Sequence, residues 1–362
     1  AATLVNTSAL RCSTPLQAAG SAERIAVTLT LNGELEQRRI AQGSLVFHYY
    51  NASAVRVDSV SPLGGPSGGG TVVTVRGAGY VDRGGVFCRF GSDEQAATVE
   101  ATLSPTSTEL LLCKAPLSPL RDVLGHTIGG AVTVALTING DPLAYSASGV
   151  SFQYYVQSSR AHEVQVSLIW PMAGPSAGGS LLNVSGQGFR NLGGIFCRFG
   201  LAERTVAGTL LSSSLLQCRS PAMGSALAGL GVPSTAAQRA TQRAQVEAVQ
   251  VTLNGQDYSE SVATFTAFDR SLVHVSALVP PGGPLGGGTM VVVLGSGFAD
   301  YNVHCLFGGA TLVRATLLNE TALQCRTPVP SVAMPLTVEV SLNNDTSAHT
   351  LTSDGVRFHY YN

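Results

Sequence analysis

Two serines of the chain stand at the spacing that hydrolases use for a nucleophile. The segments Gly65-Pro66-Ser67-Gly68-Gly69 and Gly174-Pro175-Ser176-Ala177-Gly178 both read Gly-x-Ser-x-Gly. In acyl-transfer enzymes this motif lies on a strained turn between a strand and a helix, where the serine faces an oxyanion hole. Here proline precedes each serine, a strand-like apolar run follows, and a third related segment has Leu285 instead. We therefore predict no catalytic residue and no enzymatic activity.

Metal and cofactor chemistry also lacks a basis in the sequence. Asp82, Asn191 and Asp300 each follow a Gly-x-Gly turn by three residues, but no acidic cluster accompanies them, and calcium needs about six to eight oxygen ligands. We expect Asx-type turns there. The Gly-x-Gly turns lack the third glycine and the helix of a dinucleotide site. Neither His-x-His nor His-x-x-x-His spacing occurs among the histidines, which are His48, His126, His162, His274, His304, His349 and His359. We predict no metal site and no cofactor.

The seven cysteines point to disulfide chemistry instead. By their recurring positions we predict the bridges Cys88–Cys113, Cys197–Cys218 and Cys305–Cys325, and we expect Cys12 to be unpaired here because its counterpart would lie upstream. Separations of 25, 21 and 20 residues do not match the Cys-x-x-Cys spacing of zinc sites. Each bridge would contribute about 3 kcal/mol through loop closure.

Asn-x-Ser/Thr sequons indicate the same compartment as the disulfides. We predict N-glycosylation at five positions, which are Asn6, Asn51, Asn183, Asn319 and Asn344. Asn6 and Asn319 occupy the same position ahead of the second cysteine. Paired cysteines and sequons together favour a secreted or cell-surface glycoprotein.

These residues are positioned by a repeat of whole-domain length. The first cysteines of successive copies, Cys88, Cys197 and Cys305, are 109 and 108 residues apart, which is too long for a solenoid unit. The chain begins in the back half of a copy, so we expect the polypeptide to continue upstream, and because Asn362 falls where the last strand of a repeat ends we expect it to continue downstream. The predicted domains are a half-repeat at 1–51 and full repeats at 55–156, 164–268 and 272–362.

Within each repeat, short valine- and threonine-rich runs alternate with glycine and proline, which predicts an all-β antiparallel sandwich. Asn32-Gly33, Asn139-Gly140 and Asn254-Gly255 predict two-residue type I′ hairpin turns, and Asn343-Asn344 replaces them in the last copy. Each repeat closes with aromatic residues that we expect to pack in the core. Insertions at 117–129 and 222–248 break the symmetry, and the segment 236–248 predicts a short surface helix.

The ordered set of a Gly-Gly-Pro turn, a valine strand, Gly-x-Gly-Phe/Tyr, Cys-x-Phe-Gly and a second cysteine before proline resembles the IPT/TIG domain family. The resemblance covers the whole chain. It implies tandem immunoglobulin-like, early-set β-sandwiches in an elongated array, of the kind found in plexins and fibrocystin-like surface proteins, with a cysteine bridge in extracellular members. One departure is Leu306, which stands where the other copies have Arg89 and Arg198.

Composition limits the possible partners. The net charge is −1 and only 12% of residues are charged, so the chain has no basic field for nucleic acid. No apolar run reaches the roughly 18 to 20 residues needed to span a bilayer, which predicts no membrane contact within this segment. The expected partners are other proteins, or copies of the chain, bound through sheet faces or edges.

The function that we predict from the sequence is a structural or adhesive ectodomain segment, acting as a semi-rigid spacer and contact surface. Low charge density and abundant small residues would suit a surface fibre or coat. Two alternatives remain open. One is a ligand-binding receptor ectodomain of the plexin or fibrocystin kind that uses the 222–248 insertion. The other is a set of accessory domains of a carbohydrate-active enzyme, for which Trp170 is the only tryptophan platform.

Overall fold

A computed structural model gives the fold of most of the chain. It describes residues 2–16, 24–29, 45–92, 94–147, 149–158, 161–162, 164–200, 204–223, 244–260, 262–330 and 334–362. The described residues form strands, turns and two single-turn 3₁₀ helices, Ala52–Ala54 and Arg270–Leu272. The prediction of an all-β, tandem immunoglobulin-like fold is confirmed.

The strands repeat in the same order along the chain. The half-repeat contains β1 (Ala2–Asn6), β2 (Ala9–Cys12), β3 (Arg24–Val27) and β4 (Leu45–His48). The first full repeat contains β5 (Arg56–Ser61), β6 (Gly64–Pro66), β7 (Val72–Ala78), β8 (Phe87–Phe90), β9 (Ala97–Leu103), β10 (Leu110–Lys114), β11 (Gly130–Thr137) and β12 (Ser151–Tyr155). A short pair, β13 (Gln157–Ser158) and β14 (Ala161–His162), follows.

The second full repeat contains β15 (Gln165–Trp170), β16 (Ala173–Pro175), β17 (Leu181–Gln187), β18 (Phe196–Phe199), β19 (Thr205–Ser212), β20 (Leu215–Arg219), β21 (Ala244–Thr252) and β22 (Ala263–Phe268). The third contains β23 (His274–Val279), β24 (Gly282–Pro284), β25 (Met290–Ser296), β26 (His304–Phe307), β27 (Thr311–Asn319), β28 (Ala322–Arg326), β29 (Leu336–Ser341) and β30 (Arg357–Tyr361).

Contacts divide the chain into two compact units. The first unit consists of Ala1–Val60, Thr74–Lys114 and Thr133–Val150. The second consists of Ser61–Val73, Ala115–Val132 and Ser151–Asn362. The second unit therefore holds one end of the first full repeat together with all described residues of the second and third.

One strand of each sandwich passes from one sheet layer to the other. In the second full repeat this is β19, which pairs with β18 through Thr205–Ala207 and with β20 from Gly208 onward. The order β15-β17-β20-β19-β18-β21-β22-β16 recurs with the corresponding strands in the other full repeats. Because Cys197 lies on β18 and Cys218 on β20, their disulfide links the two strands that flank this crossing strand.

Alternating strand residues point into the core between the layers, as expected for a sheet with one buried face. On β17, Leu182 and Val184 are fully buried while their neighbours are exposed or half-buried. Phe199 and Phe265 meet edge to face in the same core, with ring centroids 5.7 Å apart. Aromatic pairs favour this geometry, which adds about 0.5–1.5 kcal/mol beyond the area they bury.

The helix predicted for 236–248 is wrong where the structure describes it. Ala244–Thr252 is strand β21, and its first six residues pair with β22. Good helix formers are overruled here because the strand closes the sandwich through ladder bonds to β18 and β22. Residues 224–243 of the insertion lie outside the described residues.

The type I′ hairpin prediction is also wrong. In the described Asn turns only the second residue has a positive φ, 69° at Gly140, 78° at Gly255 and 65° at Asn344, whereas a type I′ turn needs two such residues. The first asparagine instead closes the turn with its own side chain. Asn254 Oδ1 accepts hydrogen bonds from the backbone N–H groups of Gln256 and Asp257, at 3.1 and 2.9 Å.

Candidate functional site

Each full repeat ends in a face built from two neighbouring strands. In the first, the short strand β6 runs parallel to the final strand β12, and Pro66 lies opposite Tyr155. The same parallel pair recurs as β16 with β22 and as β24 with β30. A Cβ at Gly64 would stand 2.3 Å from the Gln153 carbonyl oxygen, so this approach of the strands in the first repeat requires glycine.

We call this surface the acceptor face, because its backbone carbonyls accept hydrogen bonds from the following repeat. It consists of the short strand, the last aromatic residue of the final strand, the residue before the strand that follows the short one, and the first residue of that strand. Its members are Gly64–Pro66, Tyr155, Thr71 and Val72 in the first full repeat, Ala173–Pro175, Phe268, Ser180 and Leu181 in the second, and Gly282–Pro284, Tyr361, Thr289 and Met290 in the third.

The facing element is the Asn turn of the next repeat. Because Asn254 Oδ1 is used within the turn, its Nδ2 is free to donate outward, and it bonds the Gly64 carbonyl oxygen at 3.0 Å. Asn343 repeats this bond to the Ala173 carbonyl oxygen at 2.8 Å. Both asparagines are buried. A short side chain that accepts at one atom and donates at the other is what this position needs.

The junction between the first and second full repeats, which we call the polar junction, adds four more hydrogen bonds. Gln256 accepts from the Val72 N–H at 2.9 Å and donates to the Val72 carbonyl at 2.8 Å. The Thr71 hydroxyl donates to Asp257 Oδ2 at 2.6 Å. The Leu63 N–H donates to the Leu192 carbonyl at 2.7 Å.

The junction between the second and third full repeats, which we call the aromatic junction, is built mainly from rings. Phe268, the last ring of β22, stacks on Tyr301 of the third repeat, with centroids 5.8 Å apart and planes 10° apart. Phe268 and Ala173 belong to the buried core cluster of the third repeat, where they are 3% and 0% exposed. The last ring of one repeat therefore completes the core of the next.

Tyr155 has the same position at the polar junction. It is 2% exposed and belongs to the core cluster of the second full repeat. Burial raises the pKa of its phenol, and the nearby Asp257 carboxylate raises it further. The expectation that closing aromatics pack in a core holds for Tyr155 and Phe268, although the core that receives each is that of the following repeat. Phe47 and Tyr361, which are 38% and 59% exposed, do not follow it.

A groove lies beside the Asn turn at the aromatic junction. It has a volume of about 410 Å³ and is lined by Trp170, Asn183, Arg219, Asn343, Asn344 and His349, among others. Asn343 Nδ2 donates to the Ala173 carbonyl at this groove. The Ser347 N–H and hydroxyl both donate to Asp345 Oδ1, so this serine closes a turn.

The predicted sequons fall into two groups. Asn6, Asn51 and Asn319 are exposed, and each Oδ1 accepts from the hydroxyl and N–H of the Ser or Thr two residues later. Asn183 and Asn344 are half-buried and line the groove just described. Glycosylation at these five positions stays a prediction, with the exposed group better placed for a glycan.

The cysteines, the Gly-x-Ser-x-Gly serine Ser67 and the possible metal ligands were also considered in the sequence. The structure contains disulfides Cys88–Cys113, Cys197–Cys218 and Cys305–Cys325, while Cys12 is free and exposed. Ser67 follows the three-residue strand β6 and precedes strand β7. Among the described residues, no group of three or more His, Cys, Asp or Glu could hold a metal ion.

The Gly-x-Gly turns are followed by the expected Asx turns. Asp82 Oδ1 accepts from the N–H groups of Gly84 and Gly85 at 2.9 and 2.8 Å. Asp300 Oδ1 likewise accepts from Asn302 and Val303. Backbone hydrogen bonds lower the pKa of both carboxyls, chiefly from Gly84 in one case and Val303 in the other.

Two cation–π pairs were not predicted from the sequence. The Arg89 guanidinium lies 4.2 Å from the Tyr145 ring centroid, and that of Arg198 lies 3.8 Å from the Tyr258 ring. In the third repeat, Leu306 stands at the arginine position, and Leu351 bridges Ser341 as Tyr258 bridges Thr252. The third repeat therefore has leucine at both positions, Leu306 for the arginine and Leu351 for the tyrosine. This joint replacement indicates that the two positions are in contact, but it can be recognised only after the strands of the repeats have been aligned.

Comparison with known proteins bears on all three full repeats. The family model described as IPT/TIG domain matches residues 56–154, 165–267 and 274–360. Human fibrocystin-L is 30% identical over 131 residues, which are 36% of this chain and 3% of that protein. The chain thus spans a small fraction of the length of this curated relative.

Solved structures resemble the chain more distantly. The full extracellular region of plexin A4 matches 85% of this chain and 28% of its own, with 14% identity and a TM-score of 0.35. The Bacteroides ovatus protein SGBP-B, in complex with a mixed-linkage heptasaccharide, matches 88% of this chain and 66% of its own, with 11% identity and a TM-score of 0.23. Among the described residues, no helix has the length and apolar character to cross a bilayer.

Proposed function

The chain belongs to the IPT/TIG family, and from that premise we propose that it is a non-catalytic spacer and contact segment of a larger surface glycoprotein. Three disulfides together with membership of this family point to an extracellular or cell-surface protein. The work of such a segment is mechanical: it holds other parts of a protein at a set separation.

The burial of the last ring of one repeat in the core of the next supports this proposal best. A linker alone would leave neighbouring domains free to reorient, because interfaces between domains of one chain are usually small and polar. Here Tyr155 and Phe268 are nearly inaccessible and belong to the core clusters of the repeats that follow them. Reorientation would expose a ring and break the Asn254 or Asn343 bond, so the second and third repeats resist bending.

Distance measurements between spin labels test the spacer role. Bioorthogonal labels at Leu211 and Leu318, which are 52% and 51% exposed, leave the cysteines untouched. We expect a narrow distance distribution by double electron–electron resonance. The double variant Phe268→Ala with Asn343→Ala should broaden it, while Leu168→Ala, at an exposed strand position, should not. A broad distribution in the unmodified chain would refute the spacer role.

The glycoprotein part of the proposal has its own measurement. Peptide mapping after secretion from eukaryotic cells, with and without amidase treatment, should find glycans at Asn6, Asn51 and Asn319. The exposure of these side chains makes them better acceptors than Asn183 and Asn344. Bare asparagines in secreted protein would remove the glycan assignment without affecting the spacer role.

Contacts to other proteins would use the sheet edges and faces that the junctions leave open. Strand β19 borders an open groove of about 630 Å³ lined by Asn191, Gly193, Ile195 and Thr209–Leu210, among others. Backbone groups at such a position suit addition of an extended segment. The receptor alternative rests on the 222–248 insertion, of which residues 224–243 lie outside the described residues. The carbohydrate-binding alternative rests on Trp170, which is 38% exposed.

A further inference from the structure

The polar junction holds its asparagine next to a glycine, and the aromatic junction does not. Asn254 is followed by Gly255, whereas Asn343 is followed by Asn344. Asparagine is a chemically labile residue, and it loses its amide fastest before glycine, because glycine has no side chain to shield its own backbone nitrogen. The asparagine of the polar junction is therefore in the reactive sequence context, and that of the aromatic junction is not.

We propose that Asn254 is a deamidation site gated by the polar junction: its carboxamide becomes a carboxylate when the junction opens, and the modified repeat does not dock again. The Gly255 backbone nitrogen attacks Asn254 Cγ, so that a new C–N bond closes a cyclic imide and the Cγ–Nδ2 bond breaks. Nδ2 takes up the proton that the Gly255 nitrogen loses and leaves as ammonia. Water then opens the imide to aspartate or isoaspartate. One water is consumed for each ammonia released, and the reaction needs no oxidant or reductant.

Docking holds the reacting carboxamide in place. Asn254 is 4% exposed, and its Oδ1 accepts from the N–H groups of Gln256 and Asp257. Its Nδ2 donates to the Gly64 carbonyl at 3.0 Å and to Asp257 Oδ2 at 2.7 Å. The carboxamide must turn away from these partners before the Gly255 nitrogen can reach Cγ. The reaction therefore waits for the junction to open.

The product does not restore the junction. The new carboxylate at position 254 has no N–H for the Gly64 carbonyl, and it lies beside the Asp257 carboxylate that Nδ2 contacted before the reaction. A buried acceptor left without its donor is costly, and the two like charges repel each other. In isoaspartate the main chain is also longer by one carbon, so the Asn turn no longer closes. Deamidation thus makes an opening of the polar junction permanent.

Exchanging the residue after each asparagine tests the site in the full chain. Gly255 and Asn344 both have a positive φ, 78° and 65°, and a Cβ at Gly255 would stand 3.5 Å from the Phe196 ring, so either position accepts asparagine or glycine. After incubation at mildly alkaline pH, peptide mapping should find the mass gain of deamidation at Asn254 and none at Asn343. Gly255→Asn should remove most of the conversion at Asn254, and Asn344→Gly should introduce conversion at Asn343. Equal conversion of Asn254 with and without Gly255→Asn would overturn the site.

Thr71→Val tests the gate without changing the sequence around Asn254. It removes the hydroxyl that donates to Asp257 from the acceptor face. From the usual strength of a hydrogen bond to a charged group, conversion at Asn254 should become about tenfold faster. Asn139, which precedes Gly140 in the turn of the first full repeat, is the internal control and should keep its rate. An unchanged rate at Asn254 would overturn the gate, and an equal rise at Asn139 would overturn it too by showing that the whole repeat had loosened.

Hydrogen exchange on the converted chains tests the consequence. Ion exchange separates these chains, because each carries an additional negative charge. In that fraction the Val72 amide, which donates to Gln256 in the docked state, should lose its protection while the core strands of the second repeat keep theirs. Val72 protection equal to that of the unconverted fraction would overturn the claim that deamidation holds the junction open. The spin labels at Leu211 and Leu318 lie on the second and third repeats, so the spacer role is judged separately.

Discussion

The polar and aromatic junctions perform the same task with different groups. Both keep the asparagine amide bond to a backbone carbonyl and the burial of the preceding repeat's last ring. The polar junction surrounds these with Gln256, Asp257 and Thr71. The aromatic junction has ring stacking between Phe268 and Tyr301 instead.

The comparison shows which parts of a junction are constant and which are exchangeable. The constant parts use backbone carbonyls and a single short side chain, so they survive sequence drift elsewhere. The variable parts are the Gln256 and Thr71–Asp257 hydrogen bonds in one junction and the Phe268–Tyr301 stack in the other. Such contacts contribute about 0.5–1.5 kcal/mol each and can replace one another. We therefore expect mutations to rank by whether they strike the constant or the variable set.

Loss of the buried ring should have the largest effect. Phe268→Ala removes a side chain that is 3% exposed and leaves a cavity in the third repeat, for which core aromatic deletions predict about 3–5 kcal/mol. Because a multidomain chain does not unfold in one step, the readout is urea unfolding with repeat-resolved hydrogen exchange. The third repeat should lose stability more than the second, although Phe268 lies on a strand of the second. Phe268→Leu should retain most of the stability, and a loss confined to the second repeat would contradict the shared core.

The second-largest loss of stability is expected from substitutions in the Asn turns, and it should differ between the two junctions. Asn254→Asp keeps the turn acceptor but places a carboxylate against the Gly64 carbonyl and the Asp257 carboxylate, since Asn254 Nδ2 donates to both. At the aromatic junction, Asn343→Asp faces only the Ala173 carbonyl. From the cost of unsatisfied buried polar groups we expect about 3 kcal/mol at the polar junction and about 1–2 kcal/mol at the aromatic one.

The same repeat-resolved unfolding measures both variants. Alanine at each position is the matched control, because it removes donor and acceptor together without adding charge. Equal losses for Asn254→Asp and Asn343→Asp would show that Asp257 does not take part in the polar junction.

The sequence predicts the repeats well, because their signals are local. Glycine spacing, valine runs and recurring cysteines each act within a few residues or within one sandwich, and they determined the fold class. The Asn turn shows the limit of such signals. Asn-Gly between strands indicates a type I′ hairpin, but a hydroxyl two residues earlier, on Thr137, Thr252 or Ser341, binds the asparagine Oδ1 and favours an Asx-closed turn.

The junctions could not be predicted because their partners are far apart in the chain. Asn254 bonds Gly64 across 190 residues and Asn343 bonds Ala173 across 170, and a single sequence contains no pairing information at that range. The sequence shows that each final strand ends in an aromatic residue. Periodicity, however, gives only the face of the sheet on which that ring lies and not the repeat whose core receives the ring. Phe152 and Tyr154 alternate toward the core of their own repeat, and Tyr155 comes one residue later, on the opposite face of the strand. An aromatic residue on that face was the one sign in the sequence of a second receiving core.

A third, smaller effect belongs to the polar junction alone. Gln256→Ala removes two hydrogen bonds to the Val72 backbone at an exposed rim, which together predict about 1 kcal/mol. Hydrogen exchange at the Val72 amide should accelerate, while exchange in the third repeat should not change. Asp345→Ala is the substitution at the corresponding position of the third repeat, and it should leave exchange at Val72 unchanged. Protection of Val72 in Gln256→Ala equal to that of the unmodified chain would show that Gln256 does not hold the junction.

The smallest expected effect distinguishes the strands that open the second and third repeats. At the second, Gln187 bonds Gln165, a pair that cannot titrate. At the third, His274 Nδ1 lies 3.0 Å from Asp354 Oδ1. The hydrogen bond to Asp354 raises the pKa of His274 against a smaller effect of burial. Burial raises the pKa of Asp354, but bonds from the Val275 N–H and His274 outweigh it and lower that pKa overall.

The signs define where this pair stabilises the third repeat. A raised His274 pKa gives stability that is present below the ordinary value of 6.5 and is lost as pH rises through the folded value. A lowered Asp354 pKa gives stability that is lost as pH falls below 3.8 through its folded value. Because His274 is 55% exposed, solvent screening limits the contribution to about 0.5 kcal/mol. Repeat-resolved unfolding should show the third repeat weakening between pH 5.5 and pH 8.5 relative to the second, and His274→Gln should abolish that difference by giving both repeats an uncharged side chain.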